Sequence, residues 1–386
     1  METLKQMLKN NIRQFGMLIV LITITLLFQI LSKGILLMPL NVTNLILQNS
    51  YILILAIGML LVIVAFHIDL SVGSVAAFIS AVSGILIVNM KMHYIPTIIL
   101  SLLVGAIVGA WHGWWIAYAK IPAFIVTLGG MLIFRGATMG TLGGYSIGPY
   151  PVEFQSISTG FIPDFFNGKN LHITTIVVGV VFTAVYIIYE IIKRRGLRKY
   201  NFEVIPMGFL IAKIVLISAA INAFTYSLAA YKGIPNILVL LVILIAGYTF
   251  ITNKTVVGRH IYALGGNEKA ARLSGVKTQS IVFWVFVNMG VLSALSGLVY
   301  AARLNAAVPK AGVNFELDAI AACFIGGAST SGGIGAVIGA IIGGLVMGIM
   351  NNGMSMLGVG IDWQQAIKGL VLLLAVAFDT FTKSKS

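Results

Sequence analysis

The sequence predicts an all-α membrane protein, a polytopic helical bundle of roughly 10–12 spans at about 20 residues each. Apolar residues make up 59% of the 386 residues and charged residues only 9%, whereas soluble domains carry about 25% charge. Long apolar runs such as Ile52–Phe66 and Ile237–Ile245 show no alternation with polar residues. Membrane β-barrels do show that alternation, and helices satisfy every backbone polar group within lipid, so the spans are predicted to be helices.

Apolar segments follow one another along the chain and are the candidates for these spans. In order they are 15–32, 45–66, 70–89, 95–118, 122–141, 172–192, 205–228, 235–251, 280–301, 317–329, 334–357 and 363–382. Segment 317–329 is short enough for a half-span or a re-entrant segment, which is tolerated only where protein or water lines it. The basic stretch Met1–Arg13 and the apolar Phe15–Leu31 resemble a signal peptide. The apolar part exceeds the usual length of about 7–15 residues and no Ala-x-Ala site follows, so we expect an uncleaved first span.

Basic residues are unevenly distributed between the two sides that these spans define. The net charge of +14 could suggest a nucleic-acid partner, but most Lys and Arg residues fall at the two ends of the chain and in loops on one side. These are Lys5, Lys9, Arg13, Lys120, Lys193, Arg194, Arg195, Arg198, Lys199, Lys254, Arg259, Lys269, Arg272, Lys277, Lys383 and Lys385. The bias follows the positive-inside rule, so we expect both termini in the cytoplasm and no nucleic-acid partner.

The chain is predicted to form one transmembrane domain, 1–386. Its longest external loop, Thr141–Leu171, contains the turn-rich sequence Gly148-Pro-Tyr-Pro151. This loop either meets a soluble partner or caps the bundle, and the sequence does not distinguish these two roles.

A polar segment, Asn253–Gln279, interrupts the apolar spans and is the main functional candidate. Asn267 is a good helix N-cap and Gly275 a good stop signal, which predicts a helix over Glu268–Ser274. Glu268 and Arg272 are spaced for an i,i+4 ion pair on this helix. A helix this short is not stable alone in water, so it must dock on a soluble partner or on its own bundle.

Several kinds of chemistry are absent from the sequence. No Gly-x4-Gly-Lys-Ser/Thr motif occurs, so no ATP site is expected in this chain. The repeat Gly335, Gly339 and Gly343 has the spacing of close helix packing, not that of a dinucleotide loop. The histidines are scattered, which argues against a metal site, and Cys323 is expected to be a buried thiol. No catalytic set is apparent, so the chain is not expected to be an enzyme.

The polar segment resembles the cytoplasmic loop of bacterial ABC importer permeases for ribose, xylose, galactose and arabinose. The resemblance rests on Gly258-Arg-His-Ile-Tyr-Ala-Leu-Gly-Gly-Asn-Glu-Lys-Ala-Ala-Arg-Leu-Ser-Gly-Val, with its Glu268-x-Ala-Ala271 and Gly275. Further matches are His67-Ile-Asp-Leu-Ser-Val-Gly-Ser74, Pro122-Ala-Phe-Ile-Val-Thr-Leu-Gly-Gly130 with Arg135-Gly136, Glu316-Leu-Asp-Ala-Ile-Ala-Ala322, Gly326-Gly-Ala-Ser329 and Asn351-Asn-Gly353. Residues of about 171–233 look like an inserted two-helix hairpin, similar to the longer xylose-type and multiple-monosaccharide permeases.

The resemblance implies an importer of monosaccharides in the bacterial cytoplasmic membrane. Two permease copies would form the pathway, a partner ATPase would bind ATP and Mg, and an extracytoplasmic sugar-binding protein would deliver the sugar. The residues expected to contact the ATPase are Gly258, Arg259, Gly265, Gly266, Asn267, Glu268, Ala270, Ala271, Arg272 and Gly275. A rival interpretation is an ATP-independent secondary sugar transporter, for which internal inverted repeats would be the sign; none is clear.

Polar residues within the spans are the remaining candidates, because intramembrane polar groups are functional by default. They have either pathway or structural roles and are Asp69, Ser71, Ser74, Arg135, Glu316, Asp318, Asn351 and Asn352. Asp69 could cap the following helix or pair with Arg135, and the structural role is favoured for both. Asn351 and Asn352 could bond between helices or line the pathway.

Overall fold

The computed structural model describes residues 12–169, 171–200, 202, 204 and 206–383. Over these residues the regular structure is helical, apart from two isolated bridges, Ile147 with Ala307 and Phe161 with Pro235. The helices are α1 (Ile12–Leu31), α2 (Pro39–Val64), α3 (Val72–Gly84, continued by a π-helical turn Ile85–Asn89), α4 (Tyr94–Ala117), α5 (Ala123–Leu142), α6 (Val152–Thr159), α7 (Ile173–Lys199), α8 (Met207–Ala229), α9 (Asn236–Lys254), α10 (Val256–Gly266), α11 (Glu268–Leu273), α12 (Thr278–Leu304), α13 (Phe315–Ile325), α14 (Val337–Met356) and α15 (Ile361–Lys383). The predicted all-α class is therefore confirmed.

Nine of the described helices are long and apolar enough to cross a membrane. They are α2, α3 with its π-helical turn, α4, α5, α7, α8, α9, α12 and α14. The first helix contributes a shorter apolar stretch, Gly16–Leu31. At 11 residues, α13 is too short to span, which agrees with the half-length expected for 317–329. α15, which contains the predicted span 363–382, is not among the nine.

The described residues cluster into two units. The first contains the described residues up to Leu36, Leu45–Thr159 and the described residues from Ile237 onward; the second contains Leu37–Asn44 and the described part of Gly160–Asn236. The predicted inserted hairpin, 171–233, falls within the second unit.

Close backbone contacts between helices organise the first unit. A Cβ atom at Gly290 of α12 would lie 2.2 Å from the Gly105 carbonyl oxygen of α4, so these helices meet at a distance that only small residues allow. On α14, a Cβ at Gly343 would lie 2.0 Å from Ala322 O, and one at Gly339 would lie 2.2 Å from Gly326 O. Gly335 precedes α14, so it does not share the helix face of the other two; its Cβ would meet Leu60.

The second unit is a helical hairpin held together by polar contacts. Lys213 of α8 donates to Glu190 of α7 at 2.6 Å, and Asn222 Nδ2 donates to Thr183 Oγ1 at 2.9 Å. Many of its apolar side chains are exposed, as expected for helices facing lipid. In the segment before α7, Asp164 accepts hydrogen bonds from the backbone and hydroxyl groups of Thr174. These bonds hold the pKa of the Asp164 carboxyl well below its usual range.

Candidate docking segment and the cavity beside it

The polar segment folds as two consecutive helices. Thr255 Oγ1 accepts a hydrogen bond from Gly258 N at 3.2 Å and so caps α10. Along α10 the apolar Ile261 and Leu264 are buried, whereas Arg259 is exposed. The helix therefore lies with one face against the first unit and presents its basic residue outward.

The second helix, α11, has the caps that the sequence predicts. Asn267 Oδ1 accepts from Ala270 N at 2.9 Å. At the other end Gly275 has φ +84°, and Val276 N donates to Ala271 O at 3.1 Å, which is the hydrogen bond of a Schellman motif. The helix ends at Leu273, one residue before the predicted end.

Most of the surface of α11 is exposed. Ala271 is its one buried residue, at 5% exposure. Leu273 is 90% exposed, so the face that carries it is not the one that packs on the first unit. Glu268 and Arg272 form no ion pair with each other or with other described residues, contrary to their spacing. Glu268, Arg272 and Leu273 are therefore all exposed on this six-residue helix.

The end of α10 is joined to two distant parts of the chain. A Cβ at Gly265 would lie 1.6 Å from Val64 O at the end of α2 and 2.7 Å from Gly333 N. Gly333 N itself donates to Val64 O at 2.9 Å. Nearby, the Tyr262 hydroxyl donates to Gly335 O at 2.7 Å. We call the meeting point of Val64, Gly265 and Gly333 the backbone junction.

The turn after α2 has an unusual conformation. Phe66 has φ +64° and is 63% exposed, and a bulky residue in the left-handed region is an outlier. His67 N donates to Val62 O at 2.9 Å and closes the turn. The His67 ring lies 5.9 Å from that of Phe286. Burial lowers the pKa of His67, although the nearby carboxylate of Glu268 acts in the opposite direction.

A cavity of about 850 Å³ opens beside α11. Its walls come from the ends of α2 and α4 with the turns that follow them, the start of α5, α11, the start of α12, α13, the loop before α14 and α15. The lining includes Phe66, His67, Lys120, Phe124, Glu268, Arg272 and Gln279.

The polar candidates around α3 have mainly local partners. Asp69 is 3% exposed, and its Oδ1 accepts from Ser71 N at 2.8 Å and Ser71 Oγ at 2.6 Å. The alternative pairing of Asp69 with Arg135 is absent from the described residues. Ser71 is the N-cap of α3 but makes no side-chain capping bond, and the buried hydroxyl of Ser74 has no hydrogen-bond partner.

The half-buried Arg135 and the buried Glu316 lie near each other without a hydrogen bond between them. Arg135 of α5 and Glu316 of α13 interact electrostatically, but Nη2 of the arginine and Oε2 of the glutamate each lack a hydrogen-bond partner. Glu316 packs on the Cα atom of Gly73, where an added Cβ would lie 2.4 Å from Oε2. Asp318, by contrast, accepts from Lys368 of α15 at 2.9 Å.

The asparagines of α14 lie near the end of that helix. The buried Oδ1 of Asn351 has no hydrogen-bond partner, whereas its backbone carbonyl accepts from Ser355 Oγ at 2.8 Å. Asn352 lies beside it on the same helix and is half-buried. The thiol of Cys323 is buried and donates to Ala56 O at 3.4 Å.

Three features of this region were missed from the sequence: the backbone junction, the His67 environment and the Asp318–Lys368 pair. The glycine-rich stretch after α13, which contains Gly332 and Gly333, was a usable signal for a close backbone approach. The other two features join residues far apart in the chain and leave no local pattern.

Comparisons with known proteins cover nearly the whole chain. A family model described as branched-chain amino acid transport system / permease component matches residues 41–376. The chain is 40% identical over 376 residues to a xylose transport system permease protein of Haemophilus influenzae, covering 97% of this chain and 98% of that one. It is 38% identical to the corresponding Escherichia coli xylose protein, covering 97% and 94%. A ribose import permease protein of Haemophilus influenzae is 33% identical over 89% of this chain and 86% of its own length. No solved structure matches the chain.

Proposed function

Because the chain belongs to the family of branched-chain amino acid transport system permease components, we propose that it is the membrane subunit of an ATP-driven ABC importer for a monosaccharide. The observation that carries the proposal is the exposed, capped helix α11 beside the backbone junction. This short helix presents Glu268, Arg272 and Leu273 outward, where a soluble partner can reach them.

The similar proteins support a sugar as the cargo. The relatives at 38–40% identity are xylose permeases, and ribose permeases match a somewhat smaller part of the chain. We propose a pentose or a related monosaccharide, of the xylose, ribose, arabinose or galactose type. A neutral cargo needs no fixed charge in its pathway, which fits the small number of charges within the spans.

The distribution of charge supports the orientation. Lys120, Arg259 and the basic residues at the end of α7 belong to the side that the positive-inside rule places in the cytoplasm. In this orientation α11 and the cavity beside it face the cytoplasm, as do both termini. The membrane is the bacterial cytoplasmic membrane.

The importer needs partners that this chain does not contain. Two permease copies form the pathway, and two ATPase subunits dock on the α10–α11 segments and hold the ATP and Mg. A sugar-binding protein delivers the cargo from outside. This chain contributes no catalytic group; its part is to convert ATPase closure into movement of the helices that the backbone junction joins.

Movement of α11 reaches other parts of the chain through the backbone junction. The end of α10 contacts the end of α2 and the loop before α14 by backbone atoms. A displacement that the ATPase passes from α11 to α10 therefore reaches α2 and the loop before α14. Such rigid-body movement is a common form of conformational switching.

Uptake of labelled sugar into proteoliposomes tests this function. The permease is reconstituted with its ATPase and binding protein, and uptake is measured with ATP, with ADP and with a protonophore. ATP-dependent uptake that resists the protonophore is expected. Uptake that persists without ATPase and collapses with the protonophore would establish a secondary transporter in its place.

A further inference from the structure

The cavity beside α11 has the size of a small-molecule site. Its volume of about 850 Å³ lies within the range of about 300–1,000 Å³ that is typical of ligand pockets. A monosaccharide fills only part of such a volume, which leaves room for bridging water. The cavity is bounded by α11, the helix proposed to contact the ATPase.

Polar side chains line this cavity, and several of them make no hydrogen bond or ion pair with any other described residue. They include Lys120, Glu268, Arg272 and Gln279. Ammonium and guanidinium groups donate, a carboxylate accepts, and an amide does both. This set complements the hydroxyl groups of a sugar, each of which donates one hydrogen bond and accepts others.

Aromatic surface adds the second element of sugar recognition. Phe66 and Phe124 both line the cavity, and rings can cover the apolar C–H face of a sugar. Phe66 is also in a strained conformation, with φ +64°. Glycine or asparagine would adopt this backbone more readily, and local strain tends to persist at ligand clamps and switch regions.

We propose that this cavity is a low-affinity binding site for the transported monosaccharide at the cytoplasmic end of the pathway. The inference rests on the proposed function for the identity of its ligand. Glu268 and Arg272 then have two roles, since α11 both docks on the ATPase and forms a wall of the exit site. Movement of α11 changes the shape of the site and releases the sugar.

Direct binding tests the proposal independently of transport. The permease–ATPase complex in nanodiscs, without binding protein and without nucleotide, is titrated with xylose and separately with ribose, and contact is followed by saturation-transfer NMR. We expect at least one of these sugars to bind with a dissociation constant in the millimolar range. Gln279→Ala should raise that dissociation constant about 5-fold, the factor for one hydrogen bond of ordinary strength.

The role of Phe66 has a matched control. Phe66→Asn removes the ring and suits the left-handed backbone, so it keeps the fold. Phe250→Ala removes a phenylalanine of equal exposure, 63%, that does not line the cavity. The first variant should lose sugar binding, and the second should bind like the wild type.

The possible results test the sugar-binding cavity and the proposed importer function separately. Equal binding in the wild type, Phe66→Asn and Gln279→Ala, or no binding in the wild type, overturns the exit site even if ATP-driven uptake is normal. Binding that depends on these two residues without any ATP-driven uptake supports the site and refutes the importer. Loss in the Phe250→Ala control as well would show a global effect and overturn the assignment to this cavity.

Discussion

Substitution of Gly265 by alanine should damage the protein far more than substitution of its neighbour. The added Cβ would lie 1.6 Å from Val64 O, whereas real Cβ atoms essentially never come closer than 3.0 Å. The obstacle is backbone, so the two helices themselves must separate, by about 1.4 Å if the difference is taken up along this contact. Overpacking of this kind costs about 1–3 kcal/mol, and loss of the Gly333–Val64 hydrogen bond adds about 1 kcal/mol.

Gly266→Ala is the matched control for this prediction. It adds the same methyl group at the next position of α10, where nothing lies within 4 Å. Since alanine restricts the unfolded chain, this variant should be neutral or more stable by about 0.4–1 kcal/mol.

Two quantities are measured: the thermal stability of the permease, and the coupling of sugar transport to ATP hydrolysis. Both variants are compared in detergent by the temperature at which the soluble monodisperse fraction falls by half, and in proteoliposomes by sugar transported per ATP hydrolysed. Gly265→Ala should lower both quantities, whereas Gly266→Ala, the control for stability, should leave the thermal midpoint unchanged or higher. Equal midpoints and equal coupling for the two variants would refute the reasoning about the backbone junction.

Three further predictions follow from single contacts. Asn267→Ala removes the cap of α11 at a cost of about 1 kcal/mol and should weaken ATPase binding in a pull-down, whereas Asn267→Ser should retain it. Lys213→Met leaves the buried carboxylate of Glu190 without its partner and should lower the thermal midpoint more than the double variant with Glu190→Gln does; equal loss would contradict this. His67 has a lowered pKa, so the unfolded chain binds the extra proton first and stability should fall as the pH drops below about 6.5. His67→Gln should make the thermal midpoint less dependent on pH between about pH 6.5 and 5. An unchanged slope of midpoint against pH would show that another group titrates.

The sequence predicted the local features of the polar segment well, because short-range chemistry determines them. The cap at Asn267 and the stop at Gly275 depend on side-chain and backbone preferences within a few residues. The spans are similarly local, since each reflects a continuous run of apolar residues. The short α13 could also be anticipated from the length of its apolar run.

The tertiary contacts could not be predicted in the same way. Asp69 was a possible partner for Arg135, but a hydrogen-bonded turn with Ser71 two residues away proved more favourable than a distant charge. Which helix faces pack together also depends on the whole bundle. For that reason the sequence of α11 alone does not identify Ala271 as its buried position.

The backbone junction has a consequence for how movement passes through the protein. Contacts between side chains yield, because each side chain can change rotamer when its neighbour is displaced. Val64, Gly265 and Gly333 meet through peptide groups, which have no rotamers to change. At the junction, therefore, no rotamer change can absorb a displacement of α10 relative to α2.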